Sequence, residues 1–363
     1  MRYPKFLPEK GTIGFVAPSF GCNIEPYRTA FENALHKFGA MGHETDLGPN
    51  CYEGKGIGIS NTPDACGKEL TEYYCSEKND VLISCGGGEM MCETMSCVDF
   101  AKIKAADPKW YMGYSDNTNF TFLLTTLCDT AAVYGPCAAA FGMEPWHESL
   151  QDAYDILRGT KCNVSSYTLW EKESQKDAEH PLLPYNVTEE RNSCSYLPAY
   201  NTKQMGQSGE MMAFWGKENP DVEVQFEGRL VGGCMDCLVN LLGTKFDDVK
   251  GFNERYKEDG IIWFLESCEL NIMSIRRAIW QMKNAGWFEH VKGFLIGRPM
   301  LFGQEMFGCD QYQAVVDLLK EYNVPIIMDL DIGHLAPMMP IVSGAYAKVD
   351  VKGNNVIITY EYK

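Results

Sequence analysis

Within the first 158 residues, short apolar runs alternate with stretches of helical spacing, and this restricts the fold more than any other feature of the chain. Thr12-Ile13-Gly14-Phe15-Val16-Ala17, Val81-Leu82-Ile83-Ser84, Trp110-Tyr111-Met112-Gly113-Tyr114 and Ala131-Ala132-Val133-Tyr134 read as strands. Between them, Phe31, Leu35 and Phe38 recur at helical spacing across 25–41. Helices are also predicted over 63–77, capped at Thr62, and over 116–127. Apolar strands separated by helices imply a parallel sheet covered on both faces. Ligands of such a sheet lie beyond the carboxyl ends of its strands.

The pattern breaks from about 159 to 228, which is polar and punctuated by Pro181, Pro184, Pro198 and Pro220. This stretch reads as a linker and long decorated loop, and loops of that length are more often functional than idle. Residues 229–363 then mix strands (260–265, 293–296) with helices (272–285, 311–322), and end in a hairpin around Gly353-Asn354-Asn355. The expected organisation is an N-terminal parallel α/β domain over 1–158, the linker and loop over 159–228, and a C-terminal mixed α/β domain over 229–363.

Forty-nine acidic against 32 basic residues give a net charge of −17, which repels phosphate backbones and anionic lipid heads. Nucleic acid and membrane surfaces are therefore not expected as partners. No run of eighteen apolar residues offers a membrane span. The opening Met1-Arg2-Tyr3-Pro4-Lys5-Phe6-Leu7-Pro8 lacks the apolar core of a signal peptide, so a cytoplasmic location is expected. The 15 scattered cysteines then read as reduced thiols. Cys234-Met235-Asp236-Cys237 has no second ligand pair at zinc spacing, so neither metal nor cofactor is expected.

In Met112-Gly113-Tyr114-Ser115-Asp116-Asn117-Thr118, a strand runs directly into a serine and then a helix. Such an elbow lifts the hydroxyl out of the sheet, where the N–H of Asp116 can help hold an oxyanion. A G-x-S-x-G elbow would need glycine in place of Asn117, and a serine that merely caps the helix fits the same spacing. Gly86-Gly87-Gly88 follows another strand of the sheet, either as a tight turn or as a second oxyanion donor. A serine nucleophile needs a base and an orienting acid. Of six histidines, His36 and His43 read as surface positions and His180 lies in the polar loop. His334 stands in a loop after Ile326-Ile327-Met328, where either a catalytic or a structural role fits. Glu266 ends the apolar run Trp263-Phe264-Leu265, and burial there requires a partner such as an imidazole N–H. An exposed strand end is the other reading, with Glu269 as the nearby competitor.

Together these segments resemble the LD-carboxypeptidase family, which includes the microcin C self-immunity peptidases. The likeness rests on Val16-Ala17-Pro18-Ser19, Gly87-Gly88, Gly113-Tyr114-Ser115-Asp116, Gly232-Gly233, Leu265-Glu266, Gly297-Arg298-Pro299, Gly333-His334 and Pro340-Ile341, in that order. It implies a two-domain scaffold, usually dimeric, with a flavodoxin-like or amidotransferase-like first domain. It also implies Ser115 as nucleophile, His334 as general base and Glu266 as the acid that orients it. The backbone N–H groups of Asp116 and the Gly87-Gly88 turn would form the oxyanion hole. Cys234 and Tyr134 depart from the family pattern, which has asparagine and histidine there.

The expected activity is hydrolysis of an amide bond near a free carboxylate through an acyl-enzyme. Its substrate is a peptidyl aminoacyl-nucleotide of the microcin C type or, alternatively, a muramoyl tetrapeptide with an L-D bond. Trp170 and Trp215 flank the long loop, and an indole there could stack on adenine. With Cys234 and Glu269 they complete the expected substrate-binding set. The rival readings are a non-catalytic two-lobed small-molecule binding protein and a cysteine amidotransferase, and no cysteine occupies the elbow to serve the latter.

Overall fold

The apolar runs of the N-terminal part form a parallel sheet from β1 (Thr12–Val16), β2 (Glu44–Leu47), β3 (Val81–Ser84), β4 (Trp110–Gly113) and β5 (Ala132–Tyr134). Their order is β2-β1-β3-β4-β5, with Ile341–Ser343 added antiparallel on β5. The order reverses between β1 and β3, and the loops leaving those two strands flank the crevice where open α/β sheets bind ligands. In the computed structural model, residues 1–198 and 211–363 are described. The chain divides into two units, the first made of Met1–Cys162, Glu173–Asn186 and Met339–Gly344. Its core is aromatic. The helix Tyr27–Ala40 buries Phe31 and Phe38 against Phe15 of β1, with ring centroids 5.4 and 6.1 Å apart. Each such phenylalanine contributes about 1.5–3 kcal/mol by burial.

The second unit comprises Asn163–Lys172, Val187–Met338 and Ala345–Lys363. Its nine-stranded sheet runs, edge to edge, through Met212–Trp215, Cys194–Leu197, Ile326–Leu330, Val291–Gly297, Ile261–Glu266, Glu223–Cys234, Tyr346–Lys352, Asn355–Glu361 and Asn163–Ser165. The four strands from Ile326–Leu330 to Glu223–Cys234 are parallel, and the flanking pairings are antiparallel. Trp263 stacks on Trp287 at 5.7 Å and meets Phe288 edge-on beneath this sheet. Glu266 closes one parallel strand and His334 follows another, so both stand at carboxyl ends of parallel strands.

Two expectations change here. The stretch 159–228 is not merely a connection: it supplies three complete strands to the second sheet and the first half of a fourth. Glu223–Cys234 is one continuous strand of 12 residues, so position 228 falls inside it. Its first half pairs with the C-terminal hairpin and alternates exposed and covered residues, and that polar alternation made it read as loop. Part of the expected loop, 199–210, lies outside the described residues. Secondly, His43 is buried: its Nδ1 lies 2.9 Å from the Gly11 carbonyl and its Nε2 2.7 Å from the Tyr154 hydroxyl.

Candidate active site

In the first unit, β4 ends at Gly113, Tyr114 is extended, and Ser115 turns to φ 62°. A serine in this left-handed region costs about 1–2 kcal/mol, so its surroundings must hold it there. Asn117 supplies part of that hold. Its fully buried side chain accepts from the Tyr111 hydroxyl at 2.5 Å and donates to the carbonyls of Gly86 at 2.8 Å and Tyr114 at 3.1 Å. The residue standing where G-x-S-x-G has glycine thus ties the elbow to the glycine turn. Gly113 leaves it room, since a Cβ there would lie 2.7 Å from Asn117 Cγ. Ser115 opens a short 3-10 turn, Ser115–Asn117, and the α-helix Thr118–Thr126 begins only afterwards. It is therefore not a plain helix cap.

The backbone N–H of Ser115 donates to the hydroxyl of buried Tyr134 at 3.2 Å. On the other side, a Cβ on Gly87 would lie 3.1 Å from Ser115 Cβ and 3.2 Å from its Oγ. The turn after β3 therefore passes against the serine, and any side chain at 87 would press on it. The Asp116 carboxylate is buried and points into the protein.

In the second unit, Glu266 is fully buried, and its Oε2 lies 2.9 Å from Nδ1 of His334. Gly333, at φ 110°, makes this contact possible, because a Cβ there would sit 2.6 Å from the same oxygen. Burial opposes charge on His334, but the Glu266 carboxylate outweighs it and holds the imidazole well above its ordinary pKa, with Cys268 adding to the effect. The loop carrying His334 is anchored by Asp331, which accepts from Arg298 Nη2 at 2.5 Å and the Tyr167 N–H at 2.8 Å. Arg298 also donates to the Asp329 carbonyl at 3.0 Å, so the Gly297-Arg298-Pro299 segment braces this loop. Such a through-space brace leaves no local signal in the sequence.

The remaining sequence candidates lie near the Glu266–His334 pair or away from it. Cys234 is buried, pairs in register with Glu266, and places its thiol 3.3 Å from Asp236 Oδ2. Glu269 is exposed, and Asp236 accepts its N–H at 2.9 Å and that of Cys268 at 3.0 Å. Asp236 thereby shapes the turn after Glu266, a role the CxxC spacing did not suggest. Trp170, expected as a platform for adenine, is a core side chain instead. It is 5 % exposed, with the Arg298 guanidinium 5.0 Å over its ring and Phe302 edge-on at 5.1 Å. Trp215 is half-buried and meets Tyr312 edge-on at 5.1 Å. Among the described residues, no group of three or more His, Cys, Asp or Glu side chains is placed to hold a metal ion. Among the described residues, no helix is long and apolar enough to cross a membrane.

Comparison with known proteins bears on the whole chain. The family model for the LD-carboxypeptidase N-terminal domain matches residues 13–135, and that for the LD-carboxypeptidase C-terminal domain matches 227–349. The microcin C7 self-immunity protein MccF of Escherichia coli is 23% identical over 303 residues, covering 81% of this chain and 78% of that protein. A probable murein peptide carboxypeptidase of Bacillus subtilis (strain 168) is 21% identical over 374 residues, covering 98% and 93%. The solved structure of MccF in complex with glutamyl sulfamoyl guanosine shares the fold, with a TM-score of 0.78 at 20% identity over 99% of this chain and 98% of that one. With both domain models matched in order over most of its length, this chain belongs to the LD-carboxypeptidase family and is a hydrolase of the serine carboxypeptidase type.

Proposed function

We propose that Ser115, His334 and Glu266 work as one catalytic triad that cleaves an amide bond near a free carboxylate. The observation that carries this reading is the Glu266–His334 contact at 2.9 Å. A carboxylate on Nδ1 fixes the tautomer, so Nε2 presents its lone pair as the base. His334 takes the proton of Ser115, and Oγ attacks the amide carbonyl. Backbone N–H groups of Asp116 and the Gly87-Gly88 turn hold the oxyanion. His334 then protonates the leaving amine and activates water against the acyl-enzyme. General-base help of this kind is worth about 10²–10⁴ in rate, and one oxyanion donor about 10²–10³. The enzyme acts as a cytoplasmic homodimer without metal or cofactor.

For the substrate we favour a peptidyl aminoacyl-nucleotide of the microcin C type, supported by the relatedness to MccF over most of both chains. With Trp170 in the core, Trp215 is the indole left to meet a base. The second reading, a murein tetrapeptide, is supported by the Bacillus subtilis relative, which this chain matches over nearly its full length. Measuring kcat/KM for aspartyl sulfamoyl-adenosine and for amino-acid release from an L,D-tetrapeptide separates the two. The nucleotide conjugate is expected to be cleaved faster. Turnover of the tetrapeptide only would assign murein recycling, and inertness to both would defeat each.

The Glu266–His334 pair also fixes a pH dependence. The imidazole must be neutral to act as base, and its pKa is raised. The acid limb of the kcat/KM profile is therefore expected above pH 6.5, with activity rising as pH climbs through it. A limb at or below the ordinary histidine value would contradict the pairing. Folding stability runs the other way: what the pair adds is fully present below about pH 6.5 and is lost as pH rises through the folded pKa.

A further inference from the structure

Ser19, early in the loop that follows β1, is fully buried and donates its hydroxyl to Asp116 Oδ2 at 2.5 Å. The same carboxylate accepts the Met91 N–H and the Asn119 side-chain amide, each at 2.9 Å. Three segments thus converge on Asp116: the loop after β1, the segment after the glycine turn, and the elbow helix. Next to Ser19, the Phe20 N–H donates to the Gly87 carbonyl at 2.7 Å. A trans peptide is planar, so the N–H of Gly88 points opposite to that carbonyl. Where residues 19 and 20 stand therefore decides where the Gly88 N–H aims. Gly88 itself is shaped for this: at φ 157°, its added Cβ would lie 2.1 Å from Ser19 Oγ.

We infer that Ser19 is a positioning residue of the reaction, whose hydrogen bond to the Asp116 side chain sets the spacing and aim of the Gly88 N–H relative to Ser115. This rests on the reading of Ser115 as nucleophile. The strut joins the residue after the serine to the loop that orients the turn beside it, so the two halves of the oxyanion hole move as one body. Ser19→Ala removes the strut and leaves every group of the triad in place. Losing an oxyanion donor outright costs about 10²–10³ in rate, and a misaimed one should cost about tenfold or more.

The test measures steady-state kinetics, melting temperature and the second-order rate of labelling by a fluorophosphonate, whose phosphoryl oxygen needs the same donors. Ser19→Ala is expected to lower kcat and the labelling rate about tenfold or more. Its KM should stay near the wild-type value and its melting temperature within a few degrees. Gly88→Ala, which presses on the same hydroxyl, should fall in kcat in the same way. A Ser19→Ala enzyme that labels and turns over like the wild type overturns the strut while leaving the hydrolase reading intact. Loss of activity merely in proportion to lost folded protein also overturns it. A wild type that does not label overturns the hydrolase reading and the strut with it.

Discussion

Ser115→Ala is expected to lower kcat by about 10⁴-fold or more and to end labelling by a fluorophosphonate, with no loss of fold. The size follows from what remains. Without the hydroxyl, His334 has nothing to deprotonate on the enzyme, and only oxyanion donors and substrate binding persist. In serine hydrolases these sustain about 10³–10⁴ over water. Alanine keeps the Cβ and hence the left-handed strain at this position, so the melting temperature should barely change. Ser115→Gly makes the sharper pair. It should be equally inactive but more stable by about 1 kcal/mol, because glycine adopts φ 62° without penalty. For a chain of this size that is a rise of roughly 2 °C in melting temperature. A Ser115→Ala enzyme that retained a tenth of wild-type turnover would remove Ser115 from the chemistry. A Ser115→Gly enzyme less stable than wild type would show that the elbow is not strained.

How far such a site can be read from sequence depends on which forces are local. The parallel sheet was legible because β1, β3, β4 and β5 are buried on both faces and therefore apolar throughout. Strand β2 was not, because Glu44-Thr45-Asp46-Leu47 sits at the sheet edge, half in solvent, and carries no apolar run. Asn163–Ser165, at an edge of the second sheet, was missed for the same reason. The position of Ser115 between strand and helix was legible from spacing, but its backbone was not. A helix cap and a strained elbow share a local sequence, and what separates them is Asn117, whose side chain reaches the Gly86 carbonyl 31 residues away in sequence. Ser19 and Arg298 were legible only as members of family landmarks, and their roles were not, since each acts through a partner distant in the chain. Trp170 was misread because exposure cannot be inferred from a polar neighbourhood: the guanidinium that covers it lies 128 residues further on.

Glu266→Gln is expected to reduce kcat by about 10⁴-fold, although it preserves the shape of the side chain. The charged carboxylate can only accept, so it enforces a proton on Nδ1 of His334 and a lone pair on Nε2. An amide offers a donor as well as an acceptor. In a fully buried position, where Gly333 leaves space beside that oxygen, the amide can settle with its NH₂ toward the imidazole. That orientation demands a lone pair on Nδ1 and puts the proton on Nε2, the wrong tautomer for a base. A second consequence is separable from the first. The charge that holds the His334 pKa up is gone, while burial still opposes the imidazolium. The acid limb of whatever activity remains should therefore shift to lower pH than in the wild type. Glu266→Asp keeps the charge but shortens the reach, so it should lose rate while keeping the limb nearer its original place. A Glu266→Gln enzyme whose acid limb did not move would mean that another group carries the proton, and the base would then have to be sought outside His334.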